Sequence, residues 1–220
     1  MHTILKNLNL INTQIKDELQ KNNLASKIPE IVAVSKTFPI EKIMPLIHNN
    51  HIHFGENKVQ EAILKWTNIK QKYNNIKLHL VGKLQSNKVK LAIQLFDYIH
   101  SLDNLKLANK ISQIEKKMNK KTKIFIQVNI GNEAQKNGIE KDKIIEFYNS
   151  CKDLNLDIIG TMCIPPEDDK ADFYFKQMKE INDKLCLNEL SMGMSNDYLK
   201  AIPYSTTFLR IGTKIFGNRN

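Results

Sequence analysis

The chain has 220 residues, of which 41% are hydrophobic, and this suits one large α/β domain or two small ones. No apolar run approaches the ~18 residues of a membrane span, and charged residues throughout the first 21 positions exclude a signal peptide. The net charge is +10, but the excess is scattered lysine, without a like-charge block or an aromatic-interleaved stripe. We therefore expect no dedicated nucleic-acid binding.

The cysteine content indicates a reducing compartment. The three cysteines are Cys151, Cys163 and Cys186, and no Cys-x-x-Cys pair occurs. An odd, dispersed count argues against a disulfide framework or a zinc site, so we expect a cytoplasmic protein without a metal centre. His51 and His53 alternate and would lie on one face of a strand, but no third ligand accompanies them.

Helical and extended patterns alternate along the chain. The first element is an amphipathic helix whose apolar face consists of Leu5, Leu8, Ile11, Ile15 and Leu19. Eight strands are then predicted, each preceded by a helix, at residues 31–36, 52–57, 78–82, 98–101, 123–130, 156–162, 189–192 and 208–211. We expect Asn57 and Asp103 to cap the helices that follow them, and Ser195 to open a short helix.

This alternation predicts parallel strands joined by right-handed crossovers. Eight such units favour an α/β fold of the (β/α)8 TIM-barrel type, as a single domain over residues 1–220. An open doubly wound sheet is the alternative. No composition shift, linker or internal repeat marks a domain boundary.

The first strand ends in a lysine. Residues 31–34 form a continuous apolar run typical of a strand buried on both faces, and Lys36 lies where this strand surfaces. In a parallel sheet that edge is where ligands are bound. The alternative is a lysine that simply meets solvent.

Two loops late in the chain have the composition of a phosphate site. They are Met192-Gly193-Met194-Ser195 and Arg210-Ile211-Gly212-Thr213, after the seventh and eighth strands. Barrels commonly hold phosphate there, because glycine lets backbone N–H groups approach an anion. Ser195 and Thr213 would add hydroxyls and cap the following helices. In a closed barrel Lys36 would lie beside these loops, an arrangement that suits pyridoxal 5′-phosphate.

Arg210 is the only arginine before Arg219. Because the chain is rich in lysine, an arginine inside a strand suggests a role that lysine cannot fill. Its planar, permanently charged guanidinium group could donate a hydrogen bond to the ring nitrogen of the cofactor. An ion pair across the barrel with a glutamate or aspartate is an equal alternative.

Several blocks of this sequence together resemble the pyridoxal phosphate homeostasis proteins. They are Ala33-Val34-Ser35-Lys36-Thr37, Phe54-Gly55-Glu56-Asn57, His79-Leu80-Val81-Gly82, Leu84-Gln85-Ser86-Asn87-Lys88, Leu190-Ser191-Met192-Gly193-Met194-Ser195-Asn196-Asp197 and Arg210-Ile211-Gly212-Thr213-Lys214-Ile215-Phe216-Gly217. They span nearly the whole chain in the family's order. One departure is Lys83, which stands where the family usually has proline before Leu84.

The resemblance implies a fold-type III barrel, similar to the N-terminal domain of bacterial alanine racemase. It implies that Lys36 carries pyridoxal phosphate covalently as a Schiff base. It places Ser195, Gly212 and Thr213 at the cofactor phosphate and Arg210 at the ring nitrogen. Asn57 and His79 lie in family motifs at strand ends and are expected to line the pocket.

Two functions compete under this resemblance: a carrier that holds, buffers and delivers pyridoxal phosphate in vitamin B6 homeostasis, and an amino-acid racemase. Racemases of this type use a second base, a tyrosine from an additional β-domain, and the chain ends at Asn220 just after the last predicted barrel helix. An arginine at the ring nitrogen also weakens the cofactor as an electron sink. We therefore expect a non-catalytic carrier.

As a carrier, the protein is expected to be a monomer that passes its cofactor to pyridoxal phosphate-dependent apoenzymes, with no membrane partner. A barrel that docks on proteins without a cofactor is a third hypothesis. Met162 and Cys163 are expected to be core residues. The alternative for Met162 is a contact with the cofactor, and the alternative for Cys163 is a role as a thiol nucleophile.

Overall fold

Eight parallel strands close into a barrel in which each strand pairs with its neighbours in sequence and β1 pairs with β8. A computed structural model describes residues 2–24, 28–133 and 135–218 of the chain. The strands are β1 Glu30–Val34, β2 His53–Glu56, β3 Lys77–Leu80, β4 Tyr98–Leu102, β5 Lys123–Val128, β6 Ile158–Cys163, β7 Glu189–Met194 and β8 Phe208–Ile211. The expected barrel is confirmed and the open sheet is wrong.

A layer of helices surrounds the barrel. These are α1 Thr3–Lys21, α2 Ile40–His48, α3 Val59–Lys72, α4 Val89–Leu95, α5 Leu105–Met118, α6 Ile144–Asp153, α7 Ala171–Lys184, α8 Tyr198–Ala201 and α9 Thr213–Phe216. Four of the five predicted apolar residues of α1 are buried, and Leu5 is half-buried. The expected domain limits, residues 1 and 220, lie outside the described residues.

Strand residues alternate between two cores. The larger core lies between the barrel and its helices and includes Cys163. The smaller core fills the barrel interior and contains Val32, Tyr98, Phe125, Met162 and Phe208. Met162 and Cys163 are both fully buried, as expected of core residues, and they lie on opposite faces of β6.

Two of the expected helix caps are wrong. α3 begins at Val59 with Lys58 as its N-cap, so Asn57 ends the preceding loop instead. α5 is capped by Asn104, whose side chain accepts a 2.8 Å hydrogen bond from the backbone N–H of Leu107. The backbone of Asn104 is extended, which aims its side chain at the open end of the helix, whereas Asp103 lies one residue too early.

Among the described residues, no helix combines the length and the apolar character needed to cross a lipid bilayer.

Candidate functional site

Lys36 lies at the mouth of the barrel, which is the end formed by the C-termini of the strands. β1 ends at Val34, and Ser35 continues the ladder by donating its backbone N–H to the Gly55 carbonyl at 2.9 Å. Lys36 is half-buried in the turn that follows. The next residue, Thr37, has a positive φ of 68°, a conformation that β-branched residues rarely adopt. The turn at Lys36 is therefore held by contacts that outweigh local preference.

A buried carboxylate supplies one of those contacts. Glu56 has no exposed surface, and its Oε1 accepts hydrogen bonds from Ser35 Oγ at 2.8 Å, Lys65 Nζ at 2.9 Å and Trp66 Nε1 at 2.9 Å. Lys65 also donates to the Ser35 carbonyl at 3.0 Å. The residue before Lys36 is thus anchored through both its side chain and its main chain.

A second carboxylate holds the other side of the same turn. Glu61 accepts a 2.7 Å hydrogen bond from the backbone N–H of Thr37 and a 3.2 Å bond from Lys65. Partial burial acts to raise the pKa of Glu61, but these two donors outweigh it and hold the pKa below the ordinary value. Sequence reasoning missed the roles of Glu56, Glu61 and Lys65, although Glu56 stands in a quoted family block.

The two predicted phosphate loops come together at the mouth. Ser195 Oγ lies 3.3 Å from the backbone N of Gly212 and 3.4 Å from that of Lys214, and both N–H groups point towards it. Thr213 lies between these two donors as the first residue of α9. The structure thus brings Ser195, Gly212 and Thr213 side by side, as predicted.

The expected capping roles in these loops are wrong. α8 begins at Tyr198 with Asp197 as its N-cap, so Ser195 belongs to the preceding turn. Gly212 is the N-cap of α9, and Thr213 follows it inside the helix. β7 runs on to Met194, two residues beyond the predicted end, and it contains Gly193, whose φ of +92° coincides with a shift of register against β8.

Arg210 is buried inside the barrel, and among the described residues its hydrogen-bond acceptors are neutral oxygens. Its Nη1 donates to the Ser191 carbonyl at 2.8 Å and to Ser191 Oγ at 2.7 Å, and its Nη2 donates to the Cys163 carbonyl at 2.7 Å. Burial lowers its pKa from the ordinary value, but a guanidinium stays charged. In the described ranges no carboxylate lies within ion-pair distance of Arg210, so the ion-pair alternative is wrong, although the negative charge of Asp197 acts on Arg210 from farther away and favours its charged form.

The remaining predicted site residues lie at different depths. Asn57 is half-buried at the mouth, where its main chain packs so closely on Gly82 that a Cβ there would lie 2.4 Å from the Asn57 carbonyl oxygen. His79 is fully buried in the interior, hydrogen-bonded to His53 and His100. The structure therefore brings Asn57, but not His79, to the level of Lys36.

Lys83, which departs from the family pattern, lies in the loop after β3. Its Nζ donates a 2.7 Å hydrogen bond to Oδ1 of Asn137, which lies in the loop after β5. The residue at this position thus links the two loops through a polar contact.

The described residues contain no cluster of three metal-ligating side chains. His51 lies 2.9 Å from the His53 carbonyl oxygen through its Nε2, and burial lowers its pKa to about 4. His53 turns instead into the barrel, towards His79. The two alternating histidines therefore bond to different partners, His51 to a backbone carbonyl oxygen and His53 to His79.

Comparison with known proteins gives one consistent answer. The family model described as alanine racemase, N-terminal domain, matches residues 14–220. A pyridoxal phosphate homeostasis protein of Haemophilus influenzae is 34% identical, covering 99% of this chain and 96% of the relative. Another from Aquifex aeolicus is 34% identical and covers 94% of each chain.

Solved structures agree. PipY of Synechococcus elongatus PCC7942, in a structure with pyridoxal phosphate bound, is 32% identical with a TM-score of 0.80, covering 92% of this chain and all of PipY. An alanine racemase of Clostridium difficile 630 has a TM-score of 0.71 at 16% identity. It matches 99% of this chain but only 57% of the racemase, and at that identity the likeness concerns the fold alone. The chain belongs to the pyridoxal phosphate homeostasis protein family, whose barrel it shares with the N-terminal domain of alanine racemase.

Proposed function

We propose that this protein binds pyridoxal 5′-phosphate covalently on Lys36 and serves in the cytoplasm as a carrier that buffers the cofactor and delivers it to apoenzymes. One observation supports the proposal: β1, which leads into Lys36, pairs with β8 in the closed barrel, β8 carries the buried Arg210, and the loops after β7 and β8 direct two backbone N–H groups at the Ser195 hydroxyl. The names of the relatives and the ligand of the PipY structure point to the same cofactor.

The phosphate end of the site rests on the two loops after β7 and β8. Ser195 Oγ, with the N–H groups of Gly212 and Lys214 directed at it, marks a place where several donors face one point. An anionic phosphate gains from several such donors at once, and charge assistance strengthens each bond. Thr213 would contribute its hydroxyl from the start of α9.

The ring end of the site rests on Arg210. The hydrogen-bond partners of this buried guanidinium are neutral carbonyl and hydroxyl oxygens, and the charge of Asp197 acts on it only from a distance, so an acceptor atom of a ligand would stabilise it further. When pyridoxal phosphate is bound, Arg210 would donate to the pyridine nitrogen and would keep that nitrogen unprotonated. The residues present therefore fit a phosphorylated pyridine.

The covalent bond would form at Lys36. When bound, pyridoxal phosphate supplies an aldehyde carbon, and the Lys36 amine adds to it so that a C=N bond forms and one water leaves. The anchoring of Ser35 by Glu56 and Lys65, and of Thr37 by Glu61, fixes the backbone on both sides of Lys36.

A carrier explains these features better than a racemase. Carbanion chemistry on pyridoxal phosphate draws on the ring nitrogen as an electron sink, and an arginine partner weakens that sink. The curated relatives that match over the whole chain are named for homeostasis. Amino-acid racemase activity is the second candidate, because the racemase barrel shares this fold.

Borohydride reduction followed by peptide mass spectrometry tests the cofactor site. Protein incubated with pyridoxal phosphate should become yellow and carry a pyridoxyl mass on Lys36, and Lys36→Ala should abolish both. Lys90→Ala, which removes an exposed lysine on α4, is the matched control and should retain them. A wild-type protein that develops no imine absorbance would overturn the proposal.

Turnover and delivery assays separate the two functions. A carrier should restore activity to a pyridoxal phosphate-dependent apoenzyme faster than the same amount of Lys36→Ala protein does. It should not change the optical rotation of amino-acid solutions. Racemisation that disappears in Lys36→Ala would establish the enzyme instead.

A further inference from the structure

Three histidines form a continuous hydrogen-bonded chain through the barrel interior. His53 Nδ1 lies 2.9 Å from His79 Nε2, and His79 Nδ1 lies 2.8 Å from His100 Nε2. The three residues come from neighbouring strands β2, β3 and β4, and His79 and His100 have no exposed surface. We call this set the histidine relay.

The relay connects the floor of the barrel, where the strands begin, with Arg210. His100 Nδ1 lies 2.9 Å from Ser191 Oγ, which also accepts a hydrogen bond from Arg210 at 2.7 Å. At the other end, His53 Nε2 lies 3.8 Å from a carboxylate oxygen of Glu30, whose side chain is 43% exposed. The relay thus has a cation near one end and a solvent-accessible carboxylate near the other.

Aromatic neighbours hold the relay rings in place. Tyr98 stacks on His79 with ring centres 4.2 Å apart and an interplanar angle of 3°. Phe125 stacks on His100 at 4.3 Å and 23°. Phe208 contacts all three histidine rings. Packing against the flat faces of the histidine rings restricts their rotation. Each ring nitrogen therefore keeps the same neighbour along the relay.

The charged ends select one direction for the relay protons. A neutral imidazole has one N–H donor and one acceptor nitrogen, so each link constrains the next. The Glu30 carboxylate favours a proton on His53 Nε2, which leaves His53 Nδ1 to accept from His79. His79 must then accept from His100, and His100 from the Ser191 hydroxyl. Ser191 can donate there because Arg210 already donates to its oxygen.

Burial favours the neutral forms of His79 and His100. Burial, followed by the neighbouring His100 and His53 and by His51 and Lys70, holds the pKa of His79 well below its ordinary value. Burial and the charge of Arg210 do the same to the pKa of His100. A second cation so close to Arg210 is thereby avoided.

We propose that the histidine relay is a positioning device of fixed direction, which holds the Ser191 hydroxyl and through it the guanidinium of Arg210. The direction is set by charge at the barrel floor, so Glu30 acts on Arg210 without touching it. Only the consequence for the cofactor ring rests on the proposed function.

Side-chain 15N NMR of the cofactor-free protein tests the relay. Between about pH 6 and 8, His79 and His100 should both be neutral with the proton on Nε2. Glu30→Lys places a cation at the floor and should move the protons to Nδ1. Glu180→Lys makes the same charge change at an exposed position on α7 and should leave the tautomers unchanged.

Three results would overturn the relay: a protonated His79 or His100 in this range, the Nδ1 tautomer in the wild type, or a folded Glu30→Lys with unaltered tautomers. If Glu30→Lys fails to fold, the wild-type tautomers decide the question alone.

Cofactor titration extends the test to function. His79→Phe interrupts the relay three hydrogen bonds away from Arg210 while keeping a flat ring against Tyr98. We expect it to weaken pyridoxal phosphate binding about fivefold, the effect of one misaligned hydrogen bond, and to shift the absorbance of the bound cofactor. His48→Phe, at an exposed histidine, should change neither. Unchanged binding and absorbance in folded His79→Phe would refute the positioning role. A wild type that binds no pyridoxal phosphate would refute the proposed function, while the tautomers would still decide the relay.

Discussion

Arg210 and Ser191 are joined across β8 and β7 by two hydrogen bonds, from Nη1 to the Ser191 carbonyl at 2.8 Å and to its hydroxyl at 2.7 Å. A third bond, from Nη2 to the Cys163 carbonyl at 2.7 Å, ties the same guanidinium to β6. Because the group is planar, three bonds to three fixed oxygens determine its orientation. A lysine, with a single ammonium on a flexible stem, could not be oriented in this way.

Replacing Arg210 should change the electronic state of a bound cofactor more than its affinity. Arg210→Gln removes the charge and at least one of the three bonds. We expect the absorbance maximum of the protein–pyridoxal phosphate complex to move, while the Kd rises less than about tenfold, since the phosphate donors remain. Spectrophotometric titration measures both quantities. A large loss of affinity with an unchanged spectrum would show that Arg210 binds the phosphate.

Ser195 should show the opposite pattern. Ser195→Ala removes the hydroxyl on which the N–H groups of Gly212 and Lys214 converge. The Kd for pyridoxal phosphate should rise about fivefold to tenfold, as for one charge-assisted hydrogen bond, with no shift of the absorbance maximum. Titration with pyridoxal, which lacks the phosphate, is the control and should give the same Kd for variant and wild type.

Glu56 should matter for stability. Glu56→Gln leaves Lys65 without a fully buried carboxylate partner, and the side chain of Lys65 is only 9% exposed. We expect a loss of about 3 kcal/mol in the free energy of unfolding, at the low end for a broken buried pair because Lys65 keeps its contact with Glu61. Urea denaturation measures the loss. Glu140→Gln breaks an exposed pair with Lys143 and should change stability by less than about 0.5 kcal/mol.

Glu61 should contribute to acid sensitivity. Its folded-state pKa lies below the ordinary value of 4.5, so the unfolded state binds more protons as the pH falls past that value. The stabilisation is therefore present above about pH 4.5 and is lost as the pH falls through the folded-state pKa. In urea melts, the stability difference between wild type and Glu61→Gln should shrink from about pH 6 to about pH 3.5. A difference that does not vary with pH would contradict this role.

The three cysteines should react at very different rates. Burial raises the pKa values of Cys151 and Cys163 to about 12, whereas Cys186 is exposed. A disulfide thiol reagent at about pH 8 should modify Cys186 first and the other two only on unfolding, because the thiolate is the nucleophile. Cys186→Ser should abolish the fast phase. A remaining fast phase would mean that a buried thiol is accessible.

Local patterns were sufficient to predict the order of the helices and strands. The apolar run before Lys36 and the alternation of helix and strand periods depend on neighbours a few residues apart, which is why eight strands were predicted from them. Helix starts were less predictable. Asn104, and not Asp103, caps α5 because one backbone conformation aims the side chain, and that conformation is set by packing.

The candidate site also contains residues that the sequence predicted and residues that it did not. The composition of the loops after β7 and β8 and the family blocks pointed to Lys36, Ser195 and Arg210, since lysine, serine, glycine and arginine carry their chemistry in their side chains and backbone freedom. The residues that hold the Lys36 turn in place were not evident from the sequence. Glu56 and Glu61 reach Ser35 and Thr37 only once β1, β2 and α3 are packed together.

The sequence by itself determined that this chain forms alternating α/β units, with a lysine after the first strand and two glycine-containing loops after the seventh and eighth strands whose composition predicts a phosphate site. Only the tertiary structure decided that His53, His79 and His100 join into one chain, and that His100 meets Ser191, 91 positions away. Each histidine alone is an ordinary polar residue in a strand. Barrel closure and strand register bring inward-facing side chains of distant strands to hydrogen-bonding distance, and neither is encoded in any local stretch.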